Sequence, residues 1–189
     1  MFGKQKNYLL GSKSPRRSEL LQMLGVSFSV VSINCDERFD PDMPPQQVAQ
    51  YLAKTKSEAF AGNLENSVLI TADTTVILKN EILNKPADTD EAFEMLCKLS
   101  GNQHIVNTGI CLRNNEKTIT FFDETEVFVN PMTRDEIWYY IEKYQPLDKA
   151  GAYGIQEWFG MAKIEKINGC FYNVMGLPTA KLYSELCKF

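Results

Sequence analysis

Residues 8–24 read YLLGSKSPRRSELLQML: a short apolar run, a loop with two serines and three basic residues, then an amphipathic helix. That order predicts the opening strand-to-helix unit of an α/β protein. Ser14 stands where a cap belongs, Pro15 suits the first helical position, Leu20, Leu21 and Leu24 share a face, and Gly25 follows as a stop. Lys13, Arg16 and Arg17 gather at the mouth of this helix, where unpaired backbone N–H groups and the macrodipole favour an anion. Two arginines in a first turn are mildly unfavourable unless something negative neutralises them. A phosphate group would do so, and solvated surface arginines are the plain alternative.

Beyond Gly25, strands and helices alternate with no repeat, low-complexity tract or dividing linker. VSFSVVSI (26–33) predicts a strand, followed by the polar loop NCDERFDPDMPP. Gln46 to Phe60 predicts a helix with Val48, Leu52 and Phe60 on one stripe, and Lys56 fills the missing place in that series. Such a lysine either snorkels along its methylenes or points its ammonium into a site. SVLITADTTVIL is continuous and β-branched, as in a strand buried on both faces, and Asp73 interrupts it. A carboxylate there belongs at a strand end facing a cleft, or beside a cation.

Lys79-Asn80 suits a hairpin turn, Lys85 precedes Pro86, and Thr89–Leu99 predicts a helix ended by Ser100-Gly101. Strands are predicted around Gln103–Arg113 and Lys117–Val129, with a hairpin at Asn114-Asn115. Thr133 and Glu136 form a capping box ahead of a helix over Arg134–Tyr144. PLDKAGAYGIQ reads as a loop whose backbone approaches something closely. MAKIEKI predicts a late strand, Asn168-Gly169 a turn, and the region after Pro178 a terminal helix. The fold class is α/β with a mixed sheet.

The net charge of -4 argues against a broad nucleic-acid surface but is compatible with a small basic pocket. No segment approaches the roughly 20 apolar residues that span a bilayer, and MFGKQKNYLLGSKS lacks the apolar stretch of a signal peptide. A cytoplasmic location is therefore expected. Cys35, Cys97, Cys111, Cys170 and Cys187 are odd in number and widely spaced, so they read as reduced, mostly packing residues. The lone histidine, His104, lies in a predicted strand and reads as structural.

Ser12, Ser14, Arg16, Arg17, Lys56, Asp73 and Lys85, with Glu37 and Gln156 in loops, are polar where packing would not place them. Several cations suit a polyphosphate, and two separated carboxylates suit a bridging divalent ion. Neither a P-loop nor a dinucleotide fingerprint occurs, and no Ser-His-Asp or Cys-His set stands out. A water nucleophile fits better than a covalent intermediate. The residues by themselves reach a metal-assisted hydrolase, or a binder, of a phosphorylated small molecule.

LGSKSPRRSELLQMLG, ADTTVIL followed by NKPAD, LSGNQHIVNTGICL, and PLDKAGAYGIQ with INGCFYNVMGLP together resemble the Maf family of nucleoside triphosphate pyrophosphatases. The resemblance runs in order over nearly the whole chain. It implies a Maf/ITPase-like fold: a central curved mixed β-sheet flanked by helices, with two lobes sharing the sheet and an active-site cleft between them. Residues 1–189 would form one such domain with no independent linker.

The resemblance also assigns roles. Ser12, Ser14, Arg16 and Arg17 would hold the triphosphate, and Lys56 and Lys85 would clamp phosphates as part of the catalytic set. Asp73 would be the proton acceptor with Thr74 beside it, and Glu37 would join Asp73 at a divalent metal, Mg²⁺ or Mn²⁺. AGAYGIQ, ending in Gln156, resembles the branch hydrolysing dTTP and UTP; the branch acting on 7-methyl-GTP carries Ser-Glu where this chain has Ile155-Gln156. An amide offers one donor and one acceptor to thymine or uracil O4 and N3–H. The implied partners are a nucleoside triphosphate, no stable nucleic acid and no membrane, with a homodimer left open.

Four residues, at three places in the chain, depart from the family pattern. Lys13 replaces a glycine between the serines, Thr71 replaces a glycine before A-D-T, and Glu157-Trp158 follows Gln156 where small residues are common. The rival readings are 7-methyl-GTP or a modified pyrimidine triphosphate as substrate, and a nucleotide-binding regulator of cell division.

Overall fold

The first apolar run forms β1 (Asn7–Leu10) and the capped stretch forms α1 (Pro15–Met23). These come from a computed structural model that describes residues 7–189; the first six residues, part of the stretch read as lacking a signal peptide, lie outside the described residues. Gly11 ends β1 where a Cβ would stand 2.4 Å from Ile33 Cδ1 and 2.8 Å from Thr71 Cγ2, so the chain leaves the strand through a gap that suits glycine. Ser14 is the N-cap residue with extended backbone, yet its side chain makes no capping bond.

The second strand, β2 (Phe28–Val30), is shorter than the apolar run predicted. It pairs in parallel with β1 from Tyr8↔Phe28 to Leu10↔Val30, and its partner ends at Gly11, so the ladder stops there. α2 (Pro45–Ala59) buries Val48, Ala49, Leu52 and Ala53. β3 (Ser67–Leu78) pairs in parallel with β1 and turns at Lys79-Asn80, both at positive φ, into the antiparallel β4 (Glu81–Leu83). α3 (Thr89–Leu99) begins at Asp88, whose carboxylate accepts from Glu91 N at 2.9 Å.

β5 (Gln103–Arg113) and β6 (Thr118–Val129) are joined by a turn in which Asn114 Oδ1 accepts from the amides of Glu116 and Lys117. α4 (Arg134–Tyr144) carries the expected capping box and ends at Gln145 in the left-handed region. Two short 3₁₀ turns, Pro146–Asp148 and Ala150–Ala152, follow. The predicted strand at MAKIEKI is corrected: Trp158–Lys163 is α5, and β7 begins only at Ile164 and runs to Asn168. A Cβ on Gly160 would sit 1.7 Å from the Ile155 carbonyl oxygen, so this short helix lies directly on the preceding turn. α6 (Phe171–Val174) and α7 (Thr179–Lys188) complete the chain.

The sheet is mixed and seven-stranded, in the order β2-β1-β3-β5-β6-β7 with β4 beside β3. The chain divides into two compact units. The first holds residues through Asp73 with Thr108–Asp123 and Gly176–Phe189; the second holds Thr74–Asn107 and Glu124–Met175. The strands β3, β5 and β6 therefore each contribute residues to both.

In the first unit Leu10, Leu20, Leu21, Val48, Leu69, Ile70, Ile110 and Leu182 are buried. There α2 meets β5 at Gly109, where a Cβ would lie 2.3 Å from Gln50 N. The second unit's core includes Val76, Leu96, Leu99, Val127, Ile137, Tyr140 and Phe159. Among the described residues no helix is long and apolar enough to cross a membrane.

Candidate functional site

The carboxylate of Asp73 lies within β3, away from either strand end, so the second of the two sequence expectations holds: a cation neutralises it. That cation is Lys56, from the last turn of α2, whose ammonium donates to Asp73 Oδ1 and lies 3.3 Å from Glu37 Oε2. The Lys56 and Asp73 side chains are each 14 % exposed, whereas Glu37 is 56 % exposed. Lys56 therefore does not snorkel outward; its stem follows the buried face of α2 and its charge is spent on two anions. Thr71, one of the departures, secures this arrangement by donating its hydroxyl to the Ala53 carbonyl of α2 at 2.6 Å.

Arg17 bonds to the backbone of the same strand. Its Nε donates to the Gly176 carbonyl at 2.9 Å, and one terminal nitrogen donates to the Ala72 carbonyl at 2.9 Å and to Ser12 Oγ at 3.3 Å. The residue that carries the carboxylate is thus pinned through the peptide preceding it. Ser12 Oγ also accepts from the Ser14 amide at 3.2 Å, folding the loop across the start of α1. Burial lowers the pKa of the Arg17 guanidinium, opposed by the nearby anion of Asp73, while Arg16 lowers it further and Glu37 raises it. These groups act in one electrostatic neighbourhood.

Cys35 belongs to that neighbourhood as well. Burial pushes its thiol pKa up, Lys56 pulls it down, and Glu37 and Asp73 raise it again. All five cysteines are free, but only Cys111 is buried, so the expectation of packing cysteines holds for that residue alone.

The first unit thus brings together Ser12, Ser14, Arg16, Arg17, Glu37, Lys56 and Asp73. Thr74, Lys85 and Gln156 belong to the second. Thr74 is half-buried in β3, Lys85 is exposed between β4 and α3, and Gln156 is exposed on the turn from Gly154 to Glu157. That turn is closed by the Glu157 amide donating to the Gly154 carbonyl at 3.1 Å.

Sequence reasoning missed what surrounds the turn. The Tyr140 hydroxyl donates to Glu157 Oε2 and accepts from Gly154 N at 2.9 Å, and Lys149 Nζ lies 3.2 Å from Glu157 Oε1. No motif signals this, since the partners are separated in sequence and one is a tyrosine on an ordinary helix. The close approach expected of the glycine-rich loop is real but internal: a Cβ on Gly151 would stand 3.0 Å from Val76 Cγ1. His104 is structural as expected: it is buried, its Nε2 lies 2.7 Å from the Tyr153 hydroxyl, and burial drives its pKa down to about 3.

Among the described residues no cluster of three or more His, Cys, Asp or Glu is disposed around a common point. Glu37 and Asp73 nevertheless converge on one cation, the Lys56 ammonium. Mg²⁺ is commonly held by one or two carboxylates with substrate phosphates and water completing the shell. The donor set fits such an ion, with the lysine charge occupying the shared position between the carboxylates.

The sequence model of the Maf family, described as Maf-like protein, matches residues 7–189. A protein of Cytophaga hutchinsonii named dTTP/UTP pyrophosphatase is 46 % identical over 95 % of this chain and 83 % of its own length. One of the same name from Bacteroides thetaiotaomicron is 43 % identical, with both chains covered in full (100 %). Among solved structures, the Staphylococcus aureus Ham1 protein superposes with a TM-score of 0.53 at 16 % identity, covering 95 % of this chain and 100 % of that one. At that identity the likeness concerns the fold.

Proposed function

Since the chain belongs to the Maf family, we propose that it is a nucleoside triphosphate pyrophosphatase hydrolysing dTTP and UTP to the monophosphate and pyrophosphate. The observation that carries the chemistry is Asp73, a carboxylate within a buried strand, tied to Lys56 and backed by Arg17 through the Ala72 carbonyl. A fold gains little from such a charge, because burying a paired carboxylate rarely stabilises more than a hydrophobic replacement would. The name shared by the relatives supplies the substrate.

In this reading a water molecule attacks the α-phosphorus and gives its proton to Asp73, while the bond from that phosphorus to the α–β bridging oxygen breaks and pyrophosphate leaves. Ser12, Ser14, Arg16 and Arg17 bind the triphosphate at the start of α1, where the uncapped helix end adds N–H donors. Lys56 and Lys85 offset charge that builds on the leaving group. Glu37 and Asp73 are the residues that would hold Mg²⁺ or Mn²⁺, which when bound neutralises phosphate oxygens and lowers the pKa of coordinated water. Gln156 reads O4 and N3–H of the base, with Thr74 as a further substrate contact. The cytoplasm, where free nucleotides are met and thiols stay reduced, is the proposed compartment.

The test is a panel of ordinary and modified triphosphates, 7-methyl-GTP included, with pyrophosphate and orthophosphate scored separately. Pyrophosphate released fastest from dTTP and UTP is the expected result. Orthophosphate as the first product would place cleavage at the γ position and overturn the reading.

A further inference from the structure

A glutamine amide is ambivalent. Turned over, the group that complements thymine or uracil O4 and N3–H equally complements the amino group and N3 of cytosine. Discrimination between these bases therefore depends on what restricts the amide, and the structure shows how its backbone platform is restricted.

Gln156 sits between two immobilised neighbours. Ile155 is buried, and α5 packs its Gly160 backbone against the Ile155 carbonyl. On the other side the Glu157 carboxylate folds back over Gly154, where a Cβ would lie 2.8 Å from Glu157 Cδ. The Tyr140 hydroxyl, on a residue with no exposed surface, joins Gly154 N to Glu157 Oε2. Lys149, 8 % exposed, holds Glu157 Oε1 at 3.2 Å and Asp148 Oδ1 at 2.7 Å. Two buried polar side chains, Tyr140 and Lys149, and the half-buried Glu157 thus fix one short turn whose exposed side chain is Gln156. Apolar residues of similar size would pack α4 against the loop at lower desolvation cost, but they would not define the position of the Gly154 amide. Burial, reinforced by the bond to Glu157, raises the Tyr140 pKa, so its hydroxyl remains a neutral donor across ordinary assay conditions.

We propose that Tyr140, Glu157 and Lys149 are positioning residues for base selectivity, holding the turn so that Gln156 meets thymine and uracil in preference to cytosine. The inference rests on the reading of Gln156 as the base-reading residue. It also gives a role to Glu157, the departure from the small residue common after that glutamine.

The test measures kcat and KM for dTTP and dCTP in the unsubstituted protein and in Tyr140→Phe, Glu157→Gln, Gln156→Ala and Ile141→Val, with melting temperatures alongside. Ile141 is fully buried on the same helix and has no polar group, so its variant reports packing loss alone. The expected result is a dTTP-to-dCTP preference lowered about tenfold in Tyr140→Phe and Glu157→Gln through KM for dTTP, with kcat for dTTP little changed. Ile141→Val should leave the preference intact at a comparable melting temperature. If Gln156→Ala lowers the preference while Tyr140→Phe and Glu157→Gln do not, or if Ile141→Val lowers it equally, the positioning role is overturned. If Gln156→Ala leaves the preference unchanged, the base-reading role fails and the positioning role with it.

Discussion

Two regions of this chain spend buried charge in different ways. Around Asp73 the charged groups are bonded to one another and to backbone carbonyls, and each was conspicuous in the sequence: Lys56 on an apolar stripe, Asp73 inside a β-branched run, two arginines at a helix start. Around Gln156 the conspicuous residue is exposed, and the buried or half-buried polar groups are its supports, Tyr140, Glu157 and Lys149. In the first region the misfit residues are themselves the proposed chemistry. In the second they hold in place an exposed residue that is itself bound to none of them.

The largest effect should follow from Asp73→Asn, which keeps shape but removes the anion. Turnover of dTTP is expected to fall by about 10³-fold or more, while the melting temperature moves little because the amide oxygen still accepts from Lys56. Near-normal turnover would detach the first region from the chemistry. Lys56→Met separates the two functions of that lysine. Leaving Asp73 without its ammonium should lower the unfolding free energy by about 2 kcal/mol, read by denaturant titration. It should also tighten Mn²⁺ binding to the nucleotide-free protein about tenfold, read by calorimetry, since Glu37 and Asp73 no longer share their oxygens with a fixed cation. Unchanged Mn²⁺ affinity would remove these carboxylates from the metal.

The second region has its own signature in pH. His104 is the one histidine in the chain, and burial holds its folded pKa at about 3, below the ordinary 6.5. Below about pH 6.5 the unfolded chain takes up a proton that the folded chain refuses, so stability is lost as pH falls toward the folded value. Between pH 7 and pH 5 the loss should be about 2 kcal/mol, and His104→Gln should flatten that slope. An unaltered slope in the variant would show that other groups govern the acid limb.

How far these regions were legible depended on whether a residue broke a local pattern. α3, α4 and the Lys79-Asn80 hairpin follow from periodicity and turn chemistry acting over a few residues. The length of β2 did not, because it is set by where its partner strand ends. Nor did α5, whose short run of apolar and basic residues imitates a strand until Gly160 is seen against Ile155. Asp73 and Lys56 were individually readable, but their bond joins different elements and needed the fold. Tyr140 was beyond reach for a further reason: a buried tyrosine on a helix fits its pattern, and the chemistry of its hydroxyl is decided by a loop that follows later in the chain.

The smallest effect tests whether the second region separates support from selectivity. In the sequence Asp88 stands only as the last residue of NKPAD, yet its carboxylate caps α3 through Glu91 N. That helix packs against α4 and against both 3₁₀ turns that lead to the Gln156 turn. Asp88→Ala should cost about 1 kcal/mol in denaturant titration, since one first-turn amide loses its acceptor while the buried face of α3 keeps Ala92, Met95, Leu96 and Leu99 in place. If the Tyr140, Glu157 and Lys149 bonds set the turn directly, fraying this cap lowers stability without moving the dTTP-to-dCTP preference. A preference that instead falls in step with stability, in Asp88→Ala as in Tyr140→Phe, would mean that the whole unit shares one tolerance and that no part of it is specialised for aiming Gln156.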